Sequence, residues 1–351
     1  MFFQKSLIAI DIGSSGIKVV EIKRGKLVSM GMELLPDNCL LNGEIIDQSK
    51  IVQTLRNLIN KLGISTENRR AALSVSGPNV LVKRAVITPQ EEDYSEQIYY
   101  EAQQQFHIDI HDMIFRYVEL DGQNITDDQK AILMIASRKD LIDKKVEIIK
   151  SLGMRVGVID CDLLCIANMF EYNYPIADAV VVVVNVGASF TQVMITYNGE
   201  FLFSREIPIG GNEYTAKISS ELGMDNEAAE SLKLAACMGD QDAIANIQSI
   251  LSDINDLLVA EIRTSIDFFN QDDATADVFR STNYIYLSGG ASKTLGLDAT
   301  VAAVLQMPVQ IVNPFQKLGQ SSDGEHMDYI LSQGSMYSVA VGLGLRKYDD
   351  I

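Results

Sequence analysis

The chain has 351 residues, of which 47% are hydrophobic and 22% charged, and its formal net charge is −18. These values are typical of a globular protein large enough for two domains. The negative balance excludes nonspecific binding to nucleic acids or anionic lipids, because both are polyanions. We expect neither a signal sequence nor direct membrane insertion, since the longest apolar run, residues 179–184, is far shorter than the roughly 20 residues that span a bilayer. Four cysteines without CxxC spacing indicate buried thiols.

The first part of the chain predicts alternating strands with one amphipathic helix. Its predicted elements are strands at 7–12, 17–22 and 27–35, a helix at about 51–62, and strands at 71–75 and 81–87. The strands show period-two alternation and β-branched residues, whereas the helix carries an apolar stripe that stops before Gly63. A three-stranded meander therefore opens the chain, with the turn GSSG between its first two strands.

Residues 89–153 have a different pattern and predict an inserted subdomain. Its predicted elements are a polar helix at 91–106, strands at 115–120 and 130–137, and a helix at 139–152. After the insert, a strand at 156–159 leads into a helix at 160–173.

The second half of the chain restarts with the opening pattern. Its predicted elements are strands at 179–186, 191–197 and 201–208, a long helix at 243–270, strands at 284–288 and 309–312, and a short helix at 340–345. The segments DIGSSGIKVVEI and NVGASFTQVMIT share one order: an apolar strand ending in Asp or Asn, a glycine, small residues and a second alternating strand. Two copies of one meander predict a duplicated fold.

The first turn has the groups that bind phosphate. Gly13 permits close approach of an oxygen, and Ser14 and Ser15 add hydroxyl groups to the backbone N–H groups of the turn. Lys18 on the return strand would place a cation beside the phosphates. Asp11 would repel phosphate unless a divalent cation lay between them, which is a usual arrangement for Mg²⁺. Such a turn alone is more often an ordinary tight hairpin.

Two later segments change that interpretation. They contain Gly187, Ala188 and Ser189 in the second turn, and Gly289, Gly290 and Ala291 directly after a strand. Two facing turns would clamp the β- and γ-phosphates, and the third loop would lie flat against a base or ribose. Neither GxxxxGK[ST] nor GxGxxG occurs, so the motifs of P-loop and Rossmann proteins are missing. The three segments together predict a nucleotide site.

The segments DIGSSGIK, NVGAS and LSGGAS resemble, in this order, the two phosphate loops and the adenosine loop of the actin-like ATPases. Within that superfamily the chain resembles the PilM family of type IV pilus assembly proteins, relatives of the division protein FtsA, over nearly its whole length. The segments REIPIGGNEYT and SVAVGLGLR also support this resemblance. It implies an α/β, actin-like ATPase fold with two duplicated RNase H-like lobes and an FtsA-type inserted subdomain. The implied domains are a first lobe at 1–88 and 154–178, an insert at 89–153, and a second lobe at 179–351 with a helical subdomain at about 212–282.

The resemblance also implies a set of site residues. The implied nucleotide contacts are Gly13, Ser14, Ser15, Lys18, Asn185, Gly187, Ala188, Ser189, Gly210, Gly211, Glu213, Lys217, Gly289, Gly290 and Ala291. Asp11 would hold Mg²⁺ and take part in catalysis. Asp162 would lie near the attacking water, although a role as a helix N-cap explains this residue equally well. Connector helices at 160–173 and 340–345 would cross between the lobes.

Asn185 departs from the pattern of the active ATPases, which generally have Asp at the start of the second phosphate loop. A neutral amide neither supplies negative charge to Mg²⁺ nor serves as a general base. We therefore expect ATP binding with slow or absent hydrolysis.

The resemblance implies a cytoplasmic adaptor that binds ATP and Mg²⁺ and is peripheral to the inner membrane. It would bind the cytoplasmic N-terminal tail of the membrane protein PilN in a groove between the first lobe and the insert. Pilus motor ATPases and further copies of the chain are additional implied partners, and nucleic acid is not. Two alternatives stay open: a filament-forming cytomotive or division protein, and a sugar or acetate kinase. Asn185 disfavours the kinase, which commonly uses an Asp base.

Overall fold

The computed structural model describes residues 7–41, 43–78, 80–107, 110, 113–120, 126, 128–271, 282–320 and 333–347. The strands are β1 (Ile8–Ile12), β2 (Gly16–Lys23), β3 (Lys26–Leu34), β4 (Leu40–Leu41), β5 (Glu44–Ile45), β6 (Arg70–Val75), β7 (Val80–Ile87), β8 (Met113–Leu120), β9 (Lys130–Arg138), β10 (Arg155–Cys161), β11 (Val180–Val186), β12 (Thr191–Tyr197), β13 (Glu200–Ile207), β14 (Thr282–Ser288), β15 (Val309–Ile311) and β16 (Gly319–Gln320). The α-helices are α1 (Gln48–Lys61), α2 (Ser95–Phe106), α3 (Lys139–Ser151), α4 (Asp162–Asn173), α5 (Gly211–Leu222), α6 (Asn226–Cys237), α7 (Gln241–Asn270), α8 (Leu297–Leu305) and α9 (Ser338–Leu345). None of these helices combines the length and the apolar character needed to cross a bilayer.

Two sheets repeat one topology. The first has the order β10-β6-β1-β2-β3-β16 and the second has the order β13-β12-β11-β14-β15. In each, an opening strand pairs antiparallel with the strand that follows it and parallel with a later strand, as β1 does with β2 and β6, and β11 with β12 and β14. The five strands β3-β2-β1-β6-β10 thus correspond to β13-β12-β11-β14-β15, and the predicted duplication is confirmed.

Helices cover both faces of each sheet because most of the central strands are apolar on both sides. In β1, Ile8 and Ile10 pack with α1 and α3, whereas Ala9 on the opposite face packs in the core around α4 and α9. The even-numbered valines of β11 pack against α5–α7, and its odd-numbered valines share the core around α4 and α9 with the first sheet. Helices α4 and α9 therefore lie between the two lobes, where connector helices were predicted.

The inserted sheet has the order β7-β9-β8, and α2 covers one of its faces. Strand β7 pairs with β9 from Val80 to Ile87, so this sheet begins before residue 89. Helix α3 instead packs in the first lobe, where Ile148 and Ile149 share a core with α1 and β1. We therefore propose residues 80–138 as the insert in place of 89–153, because strand pairing and core packing divide the chain there.

Two segments near the C-terminus belong with the first lobe rather than with the predicted second lobe. Strand β16 pairs in parallel with β3 at the edge of the first sheet, and α9 packs against α4, β1 and β2. The helical subdomain consists of α5–α7 at residues 211–270, and part of its predicted end, 272–281, lies outside the described residues.

Candidate nucleotide site

The turn between β1 and β2 brings a carboxylate and an ammonium group together. Asp11 and Lys18 are cross-strand partners, and Lys18 Nζ lies 3.2 Å from Asp11 Oδ2. Asp11 is only 5% exposed. The backbone N–H of Gly13 donates to the carbonyl oxygen of Gly16 at 3.1 Å and closes the turn. A Cβ on Gly13 would lie 3.4 Å from Lys18 Nζ, so a larger residue would crowd the space beside the ion pair.

The two serines of this turn have different environments. Ser14 is half-buried and Ser15 is exposed. The carbonyl of Ser15 accepts a hydrogen bond from the N–H of Leu35 at 3.1 Å, which ties the turn to the end of β3. Both serine hydroxyls remain predicted contacts of a phosphate.

The turn between β11 and β12 has the same backbone closure. The N–H of Gly187 donates to the carbonyl oxygen of Phe190 at 3.0 Å, as Gly13 does to Gly16 in the first turn. Asn185 occupies the position of Asp11, and its cross-strand partner is Gln192 in the position of Lys18. Asn185 Nδ2 donates to Gln192 Oε1 at 3.4 Å. The second turn therefore has a neutral amide pair where the first has an ion pair. The correspondence of Gln192 to Lys18 is visible only from the strand register.

The start of α5 is fastened to the second turn. The N–H groups of Gly211 and Asn212 donate to the carbonyls of Gly187 and Ala188, at 2.9 and 2.8 Å. A Cβ on Gly210 would lie 2.5 Å from the Ala188 carbonyl oxygen, so a side chain would separate the two segments. Asn212 Nδ2 also donates to the hydroxyl of Ser189 at 3.4 Å. These contacts bring Gly210 and Gly211 to the second turn, and their approach to a ribose remains a prediction.

The loop after β14 completes the arrangement. Gly289 has φ +91, and a Cβ there would lie 2.3 Å from the Val186 carbonyl oxygen and 2.8 Å from Asn185 Oδ1. A Cβ on Gly211 would lie 3.3 Å from the Cβ of Ala291. The N–H of Gly289 donates to the carbonyl of Ser335 at 3.0 Å. Three segments that are far apart in sequence thus meet at the second turn.

The predicted ribose contacts Glu213 and Lys217 lie on the outer part of α5. Glu213 is exposed in its first turn, and Lys217 forms an ion pair with Glu221 at 2.7 Å. Both residues remain predictions.

In another acidic and basic pair, Glu230 and Lys233 of α6, the lysine contacts the backbone of Gly211. Lys233 is 6% exposed and donates to the carbonyl of Gly211 at 2.9 Å and to Thr215 Oγ1 at 2.8 Å, while Glu230 Oε2 lies 2.6 Å from its Nζ. The sequence holds a signal for this residue, because Lys233 shares the buried face of α6 with Ala229 and Ala236.

Asp162 is the first residue of α4, directly beyond the N-cap Cys161, and no side-chain hydrogen bond caps this helix. Its Oδ1 is buried without a hydrogen-bond partner among the described residues. Burial raises the pKa of Asp162 to about 6, and the negative charge of Asp11 adds to the increase. The residue is therefore near Asp11 and has an unsatisfied acceptor, as expected of a group that contacts water or a ligand.

Lys145 of α3 was not predicted. Its Nζ donates to the carbonyl of Ser74 at 2.7 Å, and the residue is 3% exposed. Burial lowers the pKa of Lys145, whereas the carboxylates of Asp162 and Asp11 oppose this change. In turn, the charge of Lys145 lowers the pKa of Asp162 against the effect of burial.

Glu206 of β13 was also not predicted. It is the cross-strand partner of Gln192, so it continues the row that begins at Asn185. Burial raises the pKa of Glu206 to about 7, and the charge of Asp162 contributes. Asp162 belongs to the first lobe and Glu206 to the second, so this effect on the pKa acts between the lobes.

The residues present fit a magnesium–nucleotide complex. No group of three metal-binding side chains (His, Cys, Asp or Glu) occurs in the described part of the chain. Mg²⁺ in nucleotide sites is commonly held by one or two carboxylates, with phosphate oxygens and waters completing its shell. Asp11, buried beside Lys18, could supply such a carboxylate. The metal would neutralise phosphate charge there.

Known proteins resemble this chain over nearly its whole length. The family model described as type IV pilus assembly protein PilM matches residues 9–348. Cell division protein FtsA of Bacillus subtilis (strain 168) is 21% identical over 374 residues, which cover 96% of this chain and 82% of FtsA.

Solved structures show the same fold. A PilM–PilN type IV pilus biogenesis complex matches with a TM-score of 0.83 at 21% identity and covers 98% of both chains. Ethanolamine utilization protein EutJ from Carboxydothermus hydrogenoformans matches at 0.57 with 13% identity, over 97% of this chain and 89% of EutJ. MreB5 of Spiroplasma citri bound to AMPPNP matches at 0.52 with 13% identity, over 96% of this chain and 94% of MreB5. The predicted α/β, actin-like fold is confirmed, and the chain belongs to the family of the type IV pilus assembly protein PilM.

Proposed function

We propose that this chain binds ATP with Mg²⁺ between its two lobes and acts as a cytoplasmic adaptor of the type IV pilus assembly platform. The observation that carries the proposal is the matched closure of the two turns, Gly13 to Gly16 and Gly187 to Phe190, in a chain of this family. Two such turns present backbone N–H groups from both lobes, which suits a polyphosphate.

In this proposal each segment contacts a different part of the nucleotide. The first turn and Lys18 contact the phosphates, and Asp11 binds Mg²⁺. The loop of Gly289, Gly290 and Ala291 lies against the adenosine, because a Cβ on Gly290 would meet only the Cβ of Met336, at 3.9 Å, which leaves room for a planar group. The ribose lies toward α5 and α6, where Glu230 and Lys233 join the predicted pair Glu213 and Lys217.

Hydrolysis is proposed to be slow or absent. Asn185 and its partner Gln192 carry no charge, so the second turn supplies no carboxylate to Mg²⁺. Asp162 and Glu206, with pKa values that burial raises to about 6 and about 7, are the carboxyl groups that could hold a water, so any slow turnover is proposed to use them. ATP would therefore act mainly by holding the lobes in one arrangement.

The proposed partner is the cytoplasmic N-terminal tail of PilN, which would place the chain beside the inner membrane. The solved relative in complex with PilN supports PilN as the partner. The proposed groove lies between the first lobe and the insert, where Arg138 at the end of β9 reaches Glu44 of β5 at 2.6 Å. Beside this ion pair, Leu41 and Ile46 are 62% and 58% exposed. Exposed apolar side chains at a junction of two subdomains are typical of a peptide-binding surface.

Isothermal titration with a synthetic peptide of the N-terminal segment of the same organism's PilN tests this proposal, with and without MgATP. We expect binding by the unchanged chain and at least about tenfold weaker binding by Leu41→Ser and Ile46→Ser. Leu222→Ser is the matched control, because Leu222 is an exposed leucine on α5, outside the first lobe and the insert. No heat with or without ATP, or equal affinities for all three variants, would overturn the proposed partner surface.

A further inference from the structure

Lys145 lies where an apolar residue is expected. The buried face of α3 consists of Leu141, Ile142, Lys145, Ile148 and Ile149, which are spaced as one helical stripe. A lysine in such a stripe is rare, because transferring an ammonium group out of water costs several kcal/mol unless it gains partners. The lysine therefore needs a compensating interaction inside the first lobe.

Its hydrogen bonds account for only part of that compensation. The ammonium group has three N–H donors, and it donates to one acceptor, the carbonyl of Ser74, among the described residues. Strand β6, which carries Ser74, lies between β1 with Asp11 and β10, which ends at Cys161 directly before Asp162. The charges of Asp162 and Asp11 oppose the effect of burial on the pKa of Lys145. Asp11 already has a direct partner in Lys18, whereas Asp162 Oδ1 has no hydrogen-bond partner in the described chain. Lys145 is therefore the cation that compensates Asp162.

This compensation matters for a polyanion. Without Lys145, two buried carboxylates would share the single charge of Lys18, next to the turn that is proposed to bind phosphate. Charges of like sign repel each other more strongly in a buried site than in bulk water. An uncompensated Asp162 would therefore repel the phosphates strongly.

We propose that Lys145 is a positioning residue of the nucleotide site, which neutralises Asp162 from inside the first lobe and so allows the site to accept a polyphosphate. This rests on the proposed ATP binding. Lys145 acts through Asp162 and through the carbonyl of Ser74, which holds its ammonium group in place.

Isothermal titration with MgATP tests this with four proteins: Lys145→Met, Asp162→Asn, the double variant, and Lys150→Met. Methionine keeps the length of lysine and removes its charge. Lys150→Met is the matched control, because Lys150 is an exposed lysine of the same helix. We expect at least about tenfold weaker ATP binding for Lys145→Met and no change for Lys150→Met. In the double variant the affinity returns to within about threefold of the unchanged chain, because no uncompensated charge is left.

Three outcomes are decisive. If Lys145→Met binds ATP as Lys150→Met does, the proposal is wrong. If Lys145→Met binds weakly and the double variant is equally weak, Lys145 is only a structural support for the Ser74 carbonyl, and the proposal is also wrong. If Lys145→Met does not fold, the ATP affinity of the double variant is compared with that of Asp162→Asn. A tenfold difference between these two affinities contradicts the proposal. An unchanged chain that binds no ATP would instead overturn the proposed function.

Discussion

Buried charged side chains distinguish this site from two ordinary β-hairpins. Lys145 and Lys233 lie in the apolar stripes of α3 and α6, and Glu206 lies half-buried on β13. The two lysines had a signal in the sequence, because each interrupts a helical apolar stripe. Glu206 had none, because its neighbours Gln192 and Asp162 come from another strand and from the other lobe.

Glu206→Gln should change the pH dependence of stability of the nucleotide-free chain. The pKa of Glu206 is raised by burial from its ordinary value of 4.5 to about 7. A carboxyl group with a raised pKa stabilises the fold when protonated, and this contribution is lost as the pH rises from about 4.5 to above 7. The glutamine variant, which stays neutral, should therefore match the unchanged chain near pH 4.5 and be more stable by on the order of 1 kcal/mol at pH 8.

Urea unfolding at the two pH values measures this difference. Glu213→Gln is the control, since Glu213 is exposed in the first turn of α5. A gain for Glu206→Gln that is the same at both pH values, or no gain at pH 8, would show that the charge of Glu206 is well solvated in the folded chain.

Among the helices, strands and loops, the site depends on close contacts at glycines, where two backbone segments approach each other. The loop after β14 touches the end of β11 through Gly289, and the start of α5 touches the second turn through Gly210. The glycines were found from the sequence because they follow strands in a recognisable order. The contact that each glycine makes could not be predicted, because it depends on which backbone segment packs against that glycine in the fold.

Gly289→Ala and Gly290→Ala should therefore have unequal effects on stability. The alanine Cβ at 289 would lie 2.3 Å from the Val186 carbonyl oxygen, at a φ of +91 that side chains rarely adopt. At 290 the nearest atom would be the Cβ of Met336 at 3.9 Å, which is ordinary contact. We expect a loss of about 2 kcal/mol or more for Gly289→Ala and a change within about 0.5 kcal/mol for Gly290→Ala. Chemical unfolding without nucleotide measures both, and equal losses would mean that the loop can move away from β11.

Sequence patterns predict the helices and strands of this chain but not the subdomain that each of them joins. Strand β7 and helix α3 were both predicted within a few residues of their observed ends. Periodicity shows that one face of an element is buried, but it does not show which partner buries that face. For this reason β7 joins the inserted sheet and α3 joins the first lobe, while the patterns predicted the opposite.

At the scale of the whole molecule, the two lobes are joined by α4 and α9, which cross at close range. A Cβ on Gly342 of α9 would lie 1.8 Å from the carbonyl oxygen of Cys165 in α4, so the helices approach each other through bare backbone. Strand β13 of the second lobe also lies against β7 of the insert. The repeat of the meander predicted the two lobes, and the family resemblance predicted helices that cross between them. The backbone contact at Gly342 could not be predicted, because it depends on packing between distant parts of the chain.

The proposed function requires both turns to bind one ATP, which titration of the nucleotide-free chain with MgATP measures. The variants are Lys18→Ala in the first turn and Gly187→Val in the second, where a Cβ would lie 2.9 Å from the Phe190 carbonyl oxygen. Lys61→Ala is the control, because it removes one charge from an exposed ion pair with Glu33. We predict about one ATP per chain, and at least about tenfold weaker binding for each turn variant than for the control. No binding by the unchanged chain, or full affinity in Gly187→Val, would show that the two turns do not form one ATP site.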